Sequence, residues 1–261
     1  MSPPPLLRLE NVTVMRGEDR LALENVSLTI EAGEHVCILG PNGCGKSTLI
    51  KTLTRECYPL DREGSSMSIL GQERWVVSEL RSQLGIVSPD LLSWCTSTAT
   101  GREVVLSGFF SSTRIFPHHR PTPELFARAD AALARLGIGH LSDRAMVEMS
   151  SGEAKRTLIA RALVHDPTTL LFDEPSSALD VGAQFELRET MRGLARSGVG
   201  VLLVTHHVSE IIPEIGRVVL LRAGRVVADG PKDEVLTEER LRELFGVPLR
   251  LARQDGYFHV H

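Results

Sequence analysis

The sequence predicts an α/β fold built on a mostly parallel sheet. Three apolar runs, at 35–39, 169–172 and 199–204, have the length and composition of buried strands. Helical patterns follow the first two of them. At 261 residues with 42% hydrophobic side chains, the chain can form one large domain with a sizeable insertion. The remaining segments add an N-terminal antiparallel β layer and an inserted helical subdomain to this core.

The antiparallel layer is predicted from the two segments 6–14 and 23–30, which have strand-like composition. A turn at Gly17, Glu18 and Asp19 joins them. The layer comes before the buried strand at 35–39 in the chain.

A glycine-rich loop connects the strand at 35–39 to a helix predicted over 47–54. Its residues satisfy the pattern G-x-x-x-x-G-K-[ST] in full: Gly40, Pro41, Asn42, Gly43, Cys44, Gly45, Lys46, Ser47 and Thr48. Glycines let the backbone N–H groups curl toward phosphate oxygens, and the helix adds its positive N-terminal dipole. We predict a P-loop in which Lys46 binds the β- and γ-phosphates, Ser47 binds Mg²⁺ and Thr48 contacts a phosphate. The alternative is a glycine-rich turn without a ligand.

Helical patterns dominate the segment from 89 to 148. The strongest covers 123–136, with Thr122 as N-cap, Pro123 at the first position and Gly137 as the stop; its apolar stripe is Leu125, Phe126, Ala129, Leu133 and Leu136. A second helix is predicted over 101–110. We place the helical subdomain at about 89–153, and the core at about 1–88 and 154–261.

Two carboxylates follow the apolar run at 169–172. Ligands bind at the carboxyl ends of strands in doubly wound sheets, where Asp173 and Glu174 are expected. Asp173 is predicted to hold Mg²⁺ through water, and Glu174 to orient and polarise the water that attacks the γ-phosphate. Surface carboxylates at a strand end are ordinary, but a pair behind a buried run in a P-loop protein indicates phosphoryl chemistry.

Five residues before a helix predicted over 154–165 resemble the signature motif of ATP-binding cassette (ABC) ATPases: Met149, Ser150, Ser151, Gly152 and Glu153. In that family the signature serine and glycine contact the terminal phosphate of a nucleotide held by the partner subunit. The resemblance therefore implies that two chains share each active site. A helix N-terminus also directs free N–H groups and partial positive charge at a phosphate. The simplest alternative is that Ser150 or Ser151 only caps the helix, and both roles can coexist.

Two more motifs follow in the family's order. The residues from Ser176 to Asp180 resemble the D-loop, which runs along the dimer seam, although Asp180 could instead be only the N-cap of a helix over 181–195. His206 matches the switch histidine, which hydrogen-bonds the γ-phosphate and holds Glu174 and the water in register. A lone histidine at a strand end is otherwise more often structural.

Two positions depart from the family. The adenine usually stacks on an aromatic residue near the end of the first strand, where this sequence has Arg16. Its guanidinium plane can stack on a base or stay solvated. The usual glutamine after the strand at 84–88 is replaced by Pro89 and Asp90, with Ser88 or Asp90 as candidate substitutes. The chain is thereby similar to a branch with molybdenum-transport and photorepair-type ATPases, a similarity shared by two further motifs, Leu106-Ser107-Gly108 and His206-His207.

Composition limits the partners. Lys+Arg 29 against Asp+Glu 33 gives a net charge of -4, which offers no basic surface for direct nucleic-acid binding. No apolar run approaches the roughly 18 residues that cross a bilayer, and the first residues lack a signal-peptide pattern. We expect a cytoplasmic protein, peripheral at the inner face of the cell membrane. Reduced thiols are expected at Cys37, Cys44, Cys57 and Cys95, with Cys44 as a small filler rather than a redox-sensitive group.

The resemblance implies an ATP-binding and ATP-hydrolysing subunit that requires Mg²⁺. It is expected to dimerise with a second ABC ATPase subunit, most simply an identical one, around two ATP molecules and to power a separate integral-membrane permease. The alternative is a soluble ABC ATPase that uses the same cycle in repair, translation or assembly. A P-loop kinase is a third class, but it would not need the signature or the D-loop.

Overall fold

The computed structural model describes residues 3–17, 20–95 and 98–261. Two residues of the predicted turn, Glu18 and Asp19, lie outside these ranges. The described chain forms two compact units. The first unit ends at Val77 and resumes at Leu194, and the second covers Ser78–Gly193. The predicted boundaries of the helical subdomain at 89 and 153 stay a prediction.

The strands are, in chain order, β1 (Leu7–Arg16), β2 (Arg20–Ile30), β3 (His35–Leu39), β4 (Ser66–Ile69), β5 (Gly85–Val87), β6 (Thr169–Asp173), β7 (Gly200–Thr205), β8 (Arg217–Arg222), β9 (Arg225–Pro231), β10 (Leu251–Gln254) and β11 (Tyr257–Val260). The α-helices are α1 (Lys46–Leu53), α2 (Val77–Gln83), α3 (Pro89–Cys95), α4 (Gly101–Gly108), α5 (Pro123–Arg135), α6 (Ser151–Leu163), α7 (Val181–Arg196), α8 (Lys232–Val235) and α9 (Glu238–Phe245). None of the helices in the described part of the chain is long and apolar enough to span a membrane.

The first unit contains the predicted antiparallel layer, with strand order β2-β1-β4. Leu7 at the start of β1 is opposite Ile30 on β2 and Ile69 on β4. All three side chains are buried, so this end of the layer supplies core surface. A short antiparallel hairpin of β10 and β11 belongs to the same unit.

The parallel strands of the first unit place two predicted site segments at one sheet edge. β3 pairs in parallel with both β7 and β8, and β9 pairs antiparallel with β8 as the edge strand of the sheet. Leu39, the last residue of β3, is opposite Thr205, the last residue of β7. The phosphate loop and His206 therefore leave neighbouring strand ends. The continuous apolar sequences of β3 and β7 fit this central position, because strands buried on both faces need continuous apolar runs.

The second unit is mostly helical. β5 and β6 pair in parallel, with Val87 opposite Phe172. Helices α4, α5 and α6 share a cluster of buried residues: Val105, Leu106, Ala129, Leu133, Ile138, Leu141, Ala160 and Val164. Thr122 caps α5 by accepting a hydrogen bond from the Leu125 N–H at 3.4 Å, as predicted. Phe126 was expected in the apolar stripe but is exposed, because the buried face centres on Ala129 and Leu133.

The predicted α/β class is confirmed: a mixed, mostly parallel sheet is accompanied by an antiparallel layer and by helices. Predicted and observed boundaries differ by a few residues in most elements. Helix α6 begins at Ser151 rather than Ala154, so the signature residues Ser151, Gly152 and Glu153 form its first turn. Helix α2 was not predicted from the sequence.

Candidate nucleotide-binding site

The phosphate loop requires glycine at Gly45, immediately before α1. Gly45 has a φ of 114°, and a Cβ added there would lie 2.6 Å from the Ala22 carbonyl oxygen on β2. Any side chain would be strained by the backbone angle and would collide with β2. The loop therefore turns sharply into the helix, and the N-terminus of α1 follows directly.

Cys44 packs inside the same loop. Its side chain is 4% exposed, and a Cβ added at Gly40 would lie 2.6 Å from the Cys44 sulfur. The same added atom would lie 2.2 Å from the Leu221 carbonyl oxygen. The thiol thus fills space under the loop backbone, which favours the filler role over a redox-sensitive one.

The turn between β8 and β9 supports the phosphate loop from outside. Ala223 and Gly224 both have positive φ angles, 47° and 78°, as in the type I′ turns of tight hairpins. The Gly224 N–H donates to the Cys44 carbonyl at 2.7 Å, and the Gly224 carbonyl accepts from the Glu24 N–H at 2.8 Å. The residue types of this turn carry no signal that it contacts the phosphate loop.

Lys46 lies on the loop that it is predicted to serve. Its ammonium donates to the carbonyl oxygens of Gly40 at 2.7 Å and Pro41 at 3.1 Å, and the residue is 6% exposed. Ser47 is exposed and Thr48 is buried. The loop backbone therefore holds the positive charge in place, while Ser47 is accessible to a ligand.

His206 lies beside the beginning of the phosphate loop. The Gly40 N–H donates to the Thr205 carbonyl at 3.2 Å, which ties the residue before His206 to the first loop glycine. The His206 ring is half-buried, and its centroid is 3.8 Å from that of His207. The first unit therefore brings the predicted switch histidine and the predicted phosphate loop to the same sheet edge.

Arg16 is at the end of β1, exposed and opposite Arg20 on β2. Like charges that face each other across a strand pair repel, so the two arginines do not stabilise one another. Both options for Arg16, stacking on a base or solvation, stay predictions.

The signature residues begin α6 in the second unit. The Ser150 hydroxyl accepts from the Glu153 N–H at 3.2 Å, and the Glu153 carboxylate accepts from the Ser150 N–H at 2.8 Å. That backbone hydrogen bond lowers the pKa of the Glu153 carboxyl, against the opposing effect of burial. The capping role considered for Ser150 is thus present. Because the hydroxyl acts as an acceptor in the cap, its hydrogen can still donate to a phosphate.

The acidic strand end has an unusual backbone. Asp173 is the last residue of β6, and Glu174 follows it with a φ of 44°. A non-glycine residue in this left-handed region is uncommon, and such strain concentrates at active sites. Both carboxylates are half-buried. The strain at Glu174 is an additional observation that the sequence did not reveal.

The predicted D-loop residue Asp180 caps α7, since its carboxylate accepts from the Ala183 N–H at 2.8 Å. The capping alternative is therefore present here too. The start of α7 also lies beside the signature: a Cβ added at Gly152 would be 3.1 Å from the Ala183 Cβ. The second unit thus brings together the signature, the D-loop and the acidic strand end.

Sequence reasoning missed Lys155, which lies in the first half of α6. It is 3% exposed, and its ammonium donates to the Pro175 carbonyl and, at 3.3 Å, to the Ser177 carbonyl. The only sequence signal is a lysine two residues after the signature, in a helix whose other buried residues are apolar except for Thr157.

The fold and the phosphate loop define a P-loop nucleotide-binding protein. The ABC transporter family matches residues 23–177, which is more than half of the chain. The chain belongs to this family, as an ATP-binding and ATP-hydrolysing subunit.

Among curated relatives, a hemin import ATP-binding protein HmuV of Bradyrhizobium diazoefficiens is 34% identical over 91% of this chain and 88% of its own length. An uncharacterized ABC transporter ATP-binding protein, YlmA of Bacillus subtilis, is 33% identical over 97% of this chain and 96% of its own length. These relatives do not support the finer resemblance to molybdenum-transport and photorepair-type ATPases.

Three solved structures have the same fold. The cbiO1 subunit of the Clostridium perfringens cbiONQ transporter complex is 28% identical with a TM-score of 0.76, covering 92% of this chain and 94% of its own. A putative metal-chelate type ABC transporter in an inward-facing conformation is 26% identical with a TM-score of 0.77, over 98% and 96%. The dimeric post-hydrolysis state of the cassette MJ0796 bound to ADP and Pi is 27% identical with a TM-score of 0.69, over 86% and 98%.

Proposed function

We propose that this chain pairs with a second copy of itself around two ATP molecules and powers a separate integral-membrane permease whose cargo is haem or another metal chelate. One observation carries the dimer: the signature at the start of α6 has an exposed Ser150 and Ser151, in a chain that also has a complete phosphate loop. A chain with both halves of a site can complete two sites by two-fold pairing. The cargo rests on the names of the hemin and metal-chelate relatives.

Each step in this proposal has an assigned side chain. Lys46 and the loop N–H groups bind the β- and γ-phosphates, and Ser150 with Gly152 of the second copy closes over the terminal phosphate. Glu174 orients the attacking water, and His206 hydrogen-bonds the γ-phosphate. The remaining phosphate-loop residues are also predicted to contact the nucleotide. Further predicted contacts come from Ser151 and Glu153 of the signature and from Asp180 of the D-loop. The helical subdomain at 89–153 is the part proposed to contact the permease.

The residues present fit Mg²⁺ as the metal that accompanies ATP. The Ser47 hydroxyl and the Asp173 carboxylate are hard oxygen donors, which Mg²⁺ prefers. The described ranges contain no group of three or more His, Cys, Asp or Glu side chains that could hold a metal ion. In this proposal Ser47 and Asp173 each supply an oxygen donor, and the phosphates of ATP supply others. When bound, Mg²⁺ neutralises charge on the β- and γ-phosphate oxygens.

A second candidate function is a soluble ABC ATPase without a permease, and the replaced glutamine favours it. Ser88 caps α3: its hydroxyl accepts from the Leu91 N–H at 3.3 Å, and its carbonyl accepts from the Leu92 N–H at 3.2 Å. Pro89 is thus the first residue of a helix and Asp90 lies exposed in its first turn. This segment has no side-chain amide, so coupling to a membrane partner would need another route.

The two candidates predict different locations in the cell. If the chain binds a permease at the inner face of the cell membrane, it is expected to sediment with the membrane fraction. It should also co-purify with an integral-membrane protein after detergent extraction. A soluble ATPase would stay in the cytoplasmic fraction. The measurement is the partition of the tagged chain between membrane and cytoplasmic fractions at native expression, with a cytoplasmic enzyme as control. Recovery of the tagged chain only in the cytoplasmic fraction contradicts the proposal that it powers a permease.

Arg16 gives a separate test of adenine binding. If its guanidinium stacks on the base, Arg16→Ala should weaken ATP binding by roughly tenfold, consistent with a base-stacking contribution of about 1–3 kcal/mol. The measurement is the Kd of ATP and of GTP for both proteins, with Arg20→Ala as the matched exposed control across the strand pair. An Arg16→Ala protein with unchanged affinity for both nucleotides identifies Arg16 as a solvated surface residue.

A further inference from the structure

We propose that Lys155 is a positioning residue for hydrolysis, which fixes the turn between β6 and α7 so that Glu174 and Asp180 hold their working geometry. The inference rests on the proposed roles of Glu174 and Asp180. It adds a residue that lies outside the phosphate loop, the signature motif and the acidic strand end.

The contacts of Lys155 cross from one functional segment to another. The lysine belongs to α6, yet its ammonium donates to the carbonyl oxygens of Pro175 and Ser177, twenty and twenty-two residues further along the chain. Because Lys155 is 3% exposed, water cannot replace these hydrogen bonds. A buried ammonium is costly unless it is hydrogen-bonded, so the cation and the two carbonyls stabilise one another only in this arrangement.

The turn that Lys155 holds is strained. Glu174 and Ala178 have φ angles of 44° and 63°, in the region that residues with a side chain rarely adopt. Within the turn, the Ser177 N–H donates to the Glu174 carbonyl at 3.2 Å. Strained backbone persists only where surrounding contacts fix it. The ammonium contacts one carbonyl immediately after Glu174 and another immediately before Ala178, so it anchors both strained positions.

Helix α6, which carries Lys155, begins at the signature. The hydrogen bonds of Lys155 therefore connect the signature helix to the turn that contains Glu174. Ser151 and Lys155 are four residues apart in α6 and therefore lie on the same face of the helix. A second contact, between Arg156 and Glu186 at 3.1 Å, holds α6 to α7. A signature that engages a phosphate thus belongs to the same rigid element as the anchor of the Glu174 turn.

The test compares Lys155→Met with Lys155→Gln. Methionine has a similar length but donates no hydrogen bond, so the carbonyls of Pro175 and Ser177 lose the donor that Lys155 supplies. Glutamine retains an N–H₂ donor. We expect Lys155→Met to lower kcat by about 100-fold, the size of effect that a misplaced catalytic group produces. KM for ATP should change by less than about threefold, because the phosphate loop is untouched, and Lys155→Gln should recover most of kcat.

The chain offers a matched control in Lys232. This lysine is also buried, and its ammonium also donates to two backbone carbonyls, those of Ile212 and Pro213, at 3.5 and 2.9 Å. Lys232→Met should therefore lower Tm as Lys155→Met does, but leave kcat unchanged. Steady-state ATPase kinetics and thermal unfolding are measured on all three variants and on Glu174→Gln.

The outcomes separate this inference from the proposed function. If Glu174→Gln is inactive while Lys155→Met keeps a kcat within about threefold of wild type, Lys155 does not position the turn. Equal losses of kcat in Lys155→Met and Lys232→Met also overturn it, because they indicate general destabilisation. If Glu174→Gln retains the wild-type rate, the proposed role of Glu174 fails instead. Should Lys155→Met not fold, the kcat of Lys155→Gln decides, and a value as low as that of Glu174→Gln contradicts the inference.

Discussion

Replacement of Glu174 by glutamine is expected to stop steady-state ATP hydrolysis while ATP still binds. A positioned general base contributes about 10²–10⁴-fold to rate, and glutamine keeps the shape of glutamate but cannot polarise water by accepting its proton. We expect the backbone φ of 44° at this residue to be the same in the wild type and in the variant. The change therefore removes the proton acceptor and keeps the position of the side chain. We therefore expect kcat to fall by at least about 100-fold with little change in the Kd of ATP.

Phosphate release and nucleotide affinity are the two measurements, and Glu189→Gln is the matched control. Glu189 is an exposed glutamate on α7 whose carboxylate forms an ion pair with Arg192 at 2.8 Å. A surface ion pair with an exposed carboxylate contributes about 1 kcal/mol or less, so the control should hydrolyse ATP normally. A Glu174→Gln protein that turns over ATP at the wild-type rate contradicts the role of Glu174 as the residue that activates water.

The order and type of the main elements could be predicted from the sequence because local signals were strong. The strand β3 was predicted with the observed bounds, since its four apolar residues after His35 end at the first loop glycine. The signals that bound helix α9 are equally local, because Thr237 caps it and Gly246, at a φ of 71°, ends it. Such caps act within a few residues, so a single sequence contains them in full.

The parts that could not be predicted depend on distant contacts. The Gly224 turn reaches the Cys44 carbonyl, and Lys155 reaches the Pro175 and Ser177 carbonyls. In both cases a side chain or an N–H finds a backbone oxygen, and backbone acceptors leave no trace in the residue type. The positive φ at Glu174 is also invisible in the sequence, because glutamate is not a residue that favours this region.

Mixing two inactive variants is expected to restore ATP hydrolysis if each site is shared between two copies. Lys46→Met removes the ammonium that binds the phosphates. Gly152→Asp places a carboxylate in the first turn of α6, which suits the helix dipole but repels the facing terminal phosphate. Each variant alone should lose nearly all activity. In a mixed dimer one site contains both changes and the other contains neither, so the mixture should recover up to about a quarter of wild-type activity.

The restored activity has a specific signature. It should rise faster than linearly with total protein in the dilute range, because subunits must associate, and it should be greatest near an equal ratio of the two variants. Gly193→Asp is the control for the added charge, since Gly193 is exposed on α7 and a Cβ there meets nothing within 4 Å. It should stay fully active alone. If every mixture of Lys46→Met and Gly152→Asp is as inactive as its components, each chain completes its own site, and the signature does not act on the nucleotide of a second copy.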